Sequence, residues 1–244
     1  MKISAYRKRN FFKCAVDLKI YSNSKNLKNY LSFFFNYIDL RGKHVLDVGG
    51  GAGLLSYWIA VNGGSAICLE PEFDGSTKGK SIFKEFGQNL EMDRSEVEFK
   101  VSTFQDYLPQ TKFDIIILAN SINHLNESAV QEIQFNKLAR DLYTQYLEKM
   151  YEMLNENGTV IITDCSRYNF FNLLGLKSPL MPTIEWTKHQ SPFAWKELLK
   201  NVGFKETKIQ WSSPNSLGFL GKLIFANSIS SYFTLSHFRI EARK

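Results

Sequence analysis

The stretch Asp47-Val48-Gly49-Gly50-Gly51-Ala52-Gly53 is where residue types and spacing first point to chemistry. Glycines at alternating positions let the backbone bend sharply and approach a bound group closely, because no Cβ intervenes. The free amides of a following helix then favour an anionic or polar ligand. Seventeen residues past Gly53, Glu70 closes the next apolar run. A carboxylate in that place can accept hydrogen bonds from both hydroxyls of a ribose. The combination predicts a site for a ribose-containing cofactor, in preference to a tight turn beside a solvated acid.

Histidines supply the candidate acid–base groups. His124 follows the apolar run 114–119 in Asn120-Ser121-Ile122-Asn123-His124, at the strand end where open α/β sheets place their sites. Its ordinary pKa suits proton abstraction; the alternative is a ring that packs the helix start. His189 lies in Ile184-Glu185-Trp186-Thr187-Lys188-His189-Gln190-Ser191-Pro192. There Trp186 and Gln190 could offer an aromatic face and donors to a polar acceptor, or simply order a loop whose Trp packs on the core. Ser191 and Pro192 read as a helix cap and first helical position. His44 reads as structural, and His237 has no role assigned by pattern.

The elements that must position these residues follow from the hydrophobic periods. Apolar runs at 44–50 (ending in glycines that feed a turn), 65–70, 97–102, 114–119, 159–165, 204–211 and 237–243 predict strands. Helical spacing is expected over 22–38 (capped by Ser22 or Ser24), 54–62, 77–89, 127–154 and 192–201. Strands alternating with helices predict an α/β, doubly wound, Rossmann-like and mostly parallel sheet, with helices on both faces and an antiparallel last strand.

The glycine segment does not follow the dinucleotide fingerprint. Its closing position falls on Leu54 or Ser56, neither of them Gly or Ala. LDVGGGAG instead resembles motif I of the class I S-adenosylmethionine (SAM) methyltransferases. FDIIILANSINHL (113–125) and MLNENGTVIITD (153–164) resemble later motifs of that family. The resemblance covers about residues 43–212, and remotely extends to methyltransferases of bacterial surface-polysaccharide pathways through EWTKHQSP and the long last hairpin.

The resemblance implies SAM as cofactor and particular roles for residues of this chain. Gly49, Gly51 and Gly53 would wrap the methionine and ribose portion. Asp47 would hold the loop and the cofactor amine through water, and Glu70 would bind the ribose hydroxyls. Pro71 would pack against adenine, and Asn120 would line the methionine pocket. Many relatives carry Gly-Asp-Ala after strand three, where this chain has Ser102-Thr103-Phe104. Thr103 and the Phe104 amide are therefore the expected adenine contacts, with Asp106 in reserve. His124 and His189 are the expected catalytic groups.

Charge and cysteine content bound the partners. The net charge is +6, yet residues 1–44 carry ten Lys/Arg against two acids, a net of +8, and the rest is close to neutral. A nucleic-acid binder would be basic across its body, which this chain is not; with the resemblance, the expectation is a small-molecule or glycan-like acceptor, methylated at oxygen. The basic segment is expected to lie over the acceptor side, helping to hold an anionic acceptor or an acidic membrane surface. Two alternatives stay open: an RNA or protein methyltransferase using that segment, and a SAM-binding protein without catalysis. Three scattered cysteines without metal-ligand spacing argue against a metal site or disulfide framework and for a reducing cytoplasm. No apolar run reaches spanning length, which leaves only peripheral contact with the inner face of a membrane. The expected organisation is a basic helical cap over 1–42 and a methyltransferase domain over 43–244. Acceptor-side insertions are expected at about 166–191 and 213–234, the second with Leu217, Leu220, Ile224 and Ser228 at helical spacing.

Overall fold

A computed structural model describes residues 2–71, 77–214 and 217–244. Met1, and residues 215–216 of the second expected insertion, lie outside the described residues. Seven strands form one sheet in the order β3-β2-β1-β4-β5-β7-β6: β1 His44–Val48, β2 Ser65–Glu70, β3 Val97–Val101, β4 Phe113–Ala119, β5 Leu154–Cys165, β6 Lys205–Trp211 and β7 His237–Arg243. β1 pairs parallel with β2 and β4, and β2 with β3. β7 runs antiparallel to both β5 and β6. The doubly wound architecture expected from the periods is the one observed. The chain divides into two compact units, Met1–Leu118 and Ala119–Lys244.

In the first unit, α1 (Lys2–Asp17) and α2 (Ser24–Phe35) precede β1, and α3 (Leu54–Val61) and α4 (Thr77–Asn89) flank β2. β1 is an unbroken apolar run apart from Asp47, and Val45, Leu46 and Val48 are all buried. That pattern belongs to a parallel strand covered on both faces. The cap of α2 is Asn23, rather than Ser22 or Ser24; its side chain accepts from the Asn26 amide.

The basic N-terminal segment packs its first helix against α3 and α4, and its second helix brings Tyr30 near enough to Asp47, under the glycine loop, for the carboxylate to help raise the phenol's pKa. Arg7 pairs with Glu96 at 2.6 Å and donates to the Glu91 carbonyl. Phe11 is fully buried, with its ring 5.1 Å from Trp58 and 5.4 Å from Phe86. A groove of about 530 Å³ gathers Lys8, Phe12, Lys28, Arg41, Trp58 and Asn62. Asn62 caps the carboxyl end of α3, and Arg41 lies three residues before β1. The cations thus collect near the amino end of β1, whereas Gly49 follows its carboxyl end. Aromatic packing of Phe11 fixes α1 there.

The second unit holds α5 (Glu127–Glu132), α6 (Lys137–Met153), α7 (Phe170–Leu173), α8 (Pro192–Val202), α9 (Gly218–Phe225) and α10 (Ser228–Phe233). The single helix expected over 127–154 is two. Asn136 adopts an extended backbone and accepts from the Leu138 amide, capping α6; an Asn side chain competes in this way with the helical ladder. β5 begins at Leu154, upstream of Asn157-Gly158, and takes Asn157 at φ 62° within the strand. α8 has the expected ends: Ser191 caps it, Pro192 opens it, and Gly203 closes it at φ 110°. The 213–234 connection folds as two short helices separated by the Asn227 cap. Leu217 and Ile224 of the expected stripe are exposed; the Leu220 side chain lies outside the description. Among the described residues, no helix is long and apolar enough to cross a membrane.

Candidate active site

In the first unit the loop after β1 has the shape that its glycines permit. Gly49, Gly51 and Gly53 adopt φ of 70°, 54° and 77°, the left-handed region that side-chain-bearing residues avoid. Gly50 has ordinary φ but no room: a Cβ there would lie 2.6 Å from Cys68 Sγ and 2.9 Å from Asp47 Oδ2. At Gly51 a Cβ would meet nothing within 4 Å, so that face of the loop is open. The Glu70 carboxylate accepts the Gly51 amide at 2.9 Å through Oε2. Among the described residues its other oxygen has no partner.

Asp47 is the charged group beneath the loop. It is 1% exposed, and Ser56 donates to its Oδ2 at 2.8 Å. Oδ1 is buried without a partner among the described residues. Burial pushes the Asp47 pKa up to about 6; the Ser56 hydrogen bond opposes the shift and the nearby Glu70 charge adds to it. An orphaned acceptor under an open glycine loop fits a bound group that supplies a donor, as an aminoacyl cofactor would. Thr103 is engaged locally: its hydroxyl donates to Asp106 Oδ2 at 2.6 Å and accepts the Asp106 amide. Phe104 is buried, and Pro71 is partly exposed at the end of β2.

In the second unit, the strand ends bring together residues far apart in sequence. His189 Nδ1 lies 2.8 Å from Asp164 Oδ1, which also accepts the Cys165 amide at 2.8 Å. Asp164 is fully buried, and its Oδ2 has no partner among the described residues. Burial raises its pKa while the His189 hydrogen bond opposes the rise. A carboxylate on Nδ1 fixes that nitrogen as the protonated one and leaves Nε2 as the basic nitrogen. His189 is 14% exposed at its side chain, enough for a reactant to meet it.

The antiparallel register sets Cys165 opposite His237. His237 Nε2 lies 3.2 Å from Asn120 Oδ1, and its Nδ1 3.2 Å from Ser212 Oγ. An amide oxygen only accepts, so Nε2 carries the proton and Nδ1 accepts from Ser212. The ring is accessible at one edge but densely surrounded; burial lowers its pKa to about 4, and the neighbouring His189 lowers it further. Asn120 itself adopts φ 54° and donates its amide to the Thr163 carbonyl.

His124 is differently placed. It is more than half exposed, and its Nδ1 meets Glu127 at 2.8 Å. Lys188 bridges Glu127 and Glu185 at 2.9 and 3.2 Å. The two expected catalytic histidines therefore differ in kind, one on a surface ion network and one on a buried carboxylate. Trp186 and Gln190 do not face an acceptor: both are buried, and the Gln190 amide donates to the Val130 carbonyl. His44 is structural, bound to Ser65 and stacked on Phe113 at 4.8 Å. Asp164, Ser212 and His237 are the residues that sequence reasoning missed. The available signal was an acid closing the apolar run TVIITDC, the same pattern that singled out Glu70.

The decisive observation comes from comparison with known proteins. A family model described as a methyltransferase domain matches residues 21–209, most of the chain. The chain belongs to that family. It is a class I SAM-dependent methyltransferase domain, with S-adenosylmethionine as its cofactor. The methyltransferase is 25% identical to human mitochondrial ubiquinone biosynthesis O-methyltransferase over 173 residues, 67% of this chain and 42% of that protein. It is also 25% identical over 162 residues to the ubiquinone biosynthesis O-methyltransferase of Bradyrhizobium diazoefficiens, 63% of this chain and 54% of that one. It thus spans about half the length of the curated relatives it matches. A SAM-dependent methyltransferase from Aquifex aeolicus shares its fold with a TM-score of 0.56 at 17% identity, over 98% of this chain and 97% of that one.

Proposed function

We propose that this methyltransferase methylates an oxygen of a small-molecule acceptor, with His189 as the base that takes the acceptor's proton. One observation carries the reading: the buried Asp164 carboxylate on His189 Nδ1 at 2.8 Å. Bound SAM supplies an activated methyl on a sulfonium, so the protein's task is to align the acceptor and remove a proton. A hydroxyl acceptor gains from a general base, typically by 10²–10⁴-fold. His189 Nε2 is the nitrogen free to accept that proton, and Asp164 stabilises the imidazolium that forms. His124 is the weaker candidate, because its partner Glu127 is shared with Lys188 at the surface.

On the cofactor side we assign Gly49, Gly51, Gly53 and Asp47 to the methionine end, with Asn120. Glu70 takes the ribose hydroxyls, and Pro71, Thr103 and the Phe104 amide flank the adenine. The orphaned Asp47 Oδ1 supports the first assignment and the unpartnered Glu70 oxygen the second.

The relatives' printed activity, O-methylation, favours oxygen. A glycan-like acceptor finds no such support, since Trp186 and Gln190, the groups that would stack and donate, are buried. We place the enzyme in the cytoplasm, in keeping with free Cys14, Cys68 and Cys165, and read residues 1–42 as a helical cap on a 43–244 catalytic domain.

The test is transfer of labelled methyl from SAM to a panel of phenols, catechols and sugars, with RNA and protein fractions alongside. A methyl ether of a small hydroxylated acceptor is expected. Label only in RNA or protein overturns the reading, and SAM binding without transfer to any fraction identifies a binding protein.

A further inference from the structure

The two connections that surround the His189 cluster share an unusual composition. Residues 166–184 and 212–236 contain no Asp or Glu, although the chain has 24, and three cations: Arg167, Lys177 and Lys222. They also hold ten of the 17 exposed large apolar side chains among the described residues. Leu223 and Ile229 are each 73% exposed, Leu173 63%, and Leu174, Leu176 and Ile224 more than half. Scattered exposed leucines need no explanation, but a concentrated set marks an interaction surface.

These residues form one platform within the second unit. Asn169 Nδ2 donates to the Thr234 carbonyl at 3.1 Å and to Ser236 Oγ at 2.8 Å. The Phe170 ring packs 5.2 Å from Phe233 and 6.3 Å from Tyr232. Ser166 donates its amide to Ser236, the residue beside His237. These fastenings hold the helices α7 and α10 together while Leu173 and Ile229 stay outside. The platform is continuous with the residues that carry Asp164 and His237.

We infer that this platform docks on an anionic lipid bilayer, with its leucines and isoleucines entering the headgroup boundary and Lys177, exposed beside Leu173, Leu174 and Leu176, meeting phosphate. Short helices with apolar residues outside, in connections whose sole charges are Lys and Arg, suit the interface plane of a membrane, and among the described residues none is long enough to cross one. The charge pattern separates this occupant from a second copy of the chain. A twofold interface sets a patch against itself, and here that would oppose cations with cations and no acid between them. Anionic headgroups attract the same cations. The inference does not depend on which acceptor is methylated.

The test is co-sedimentation of the full chain with vesicles of phosphatidylcholine and phosphatidylglycerol (3:1) and of phosphatidylcholine alone. Light scattering of the protein without lipid accompanies it. Partition onto the anionic vesicles is expected, weaker at high salt and on neutral vesicles. Leu223→Glu and Ile229→Glu should each lower it by roughly tenfold, the loss implied when one large aliphatic side chain no longer leaves water. Both sites are exposed, so the melting temperature should not move. Wild-type protein that stays in the supernatant, or variants that bind as well as it does, overturn the inference. A lipid-free dimer that Leu223→Glu splits into monomers overturns it equally and makes a second copy the occupant.

Discussion

His189 and Asp164 are joined by a 2.8 Å hydrogen bond between an imidazole 14% exposed and a carboxylate that is fully buried. One partner is open to solvent and the other is enclosed by protein. That asymmetry is what a base and its orienting acid require, and it separates His189 from His124.

Removing the imidazole tests this directly. His189→Ala should lower kcat by roughly 10²–10⁴ with SAM affinity unchanged, measured by turnover and by titration calorimetry. His189→Gln should not rescue it. Asp164→Asn should lower kcat to a similar extent, since the carboxylate that keeps the proton on Nδ1 and Nε2 basic is gone, and His124→Ala should lower it least. A larger loss in His124→Ala would transfer the role of base to that residue.

On the cofactor side, Glu70→Ala should weaken SAM binding by about 10–100-fold, the cost of losing a charged hydrogen-bonding partner. The same change releases the Gly51 amide that Glu70 holds. Glu70→Gln, which keeps an acceptor for that amide, should lose less. Thermal stabilisation by SAM in wild type and both variants is the measurement.

Asp47 illustrates binding at the expense of stability. Its folded pKa of about 6 lies above the unfolded value of about 3.9, so the neutral form favours the fold. The penalty is absent below pH 4, grows as pH rises to 6, and is constant above. Asp47→Asn should therefore raise the stability of cofactor-free protein at pH 7 by about 3 kcal/mol, and not at pH 4. It should at the same time weaken SAM binding. Denaturant melts at the two pH values check the sign.

His237 titrates in the opposite sense. Its folded pKa of about 4 lies below the unfolded value of about 6.5, so its contribution is present above 6.5 and is lost as pH falls through 4. Wild type should lose stability across that window. His237→Asn should show a smaller loss there, because the ring that resists protonation is gone. Equal acid profiles for the two proteins would remove His237 from the account.

Gly50→Ala should damage the loop although Gly50 has an ordinary φ. Its Cβ would press on Cys68 Sγ and Asp47 Oδ2, with a cost of about 1–3 kcal/mol for overpacking and weaker SAM binding. The melting temperature and the SAM dissociation constant report the two effects separately.

The legible parts of this protein are those governed by local rules. β1, β2 and α8 could be read to within a residue or two because apolar runs, Pro192, Ser191 and Gly203 act on their own neighbours. The glycine loop was legible because positive φ at positions 49, 51 and 53 needs residues without a Cβ. Local reading failed where two signals competed: Asn136 as a cap against the apolar period of 127–154, and Asn23 against two serines.

What the amino-acid sequence determined by itself was the doubly wound fold and the cofactor loop, since both are written in periods of a few residues and in backbone sterics. Tertiary structure alone decided the acid–base arrangement and the place of the basic arm. His189 meets Asp164 across 25 residues and His237 meets Asn120 across 117, through the sheet order and the antiparallel register of β5 with β7. The cations of α1 went to the amino end of β1 because Phe11 had to be buried against Trp58 and Phe86. Burial energy placed the helix, and its charges followed.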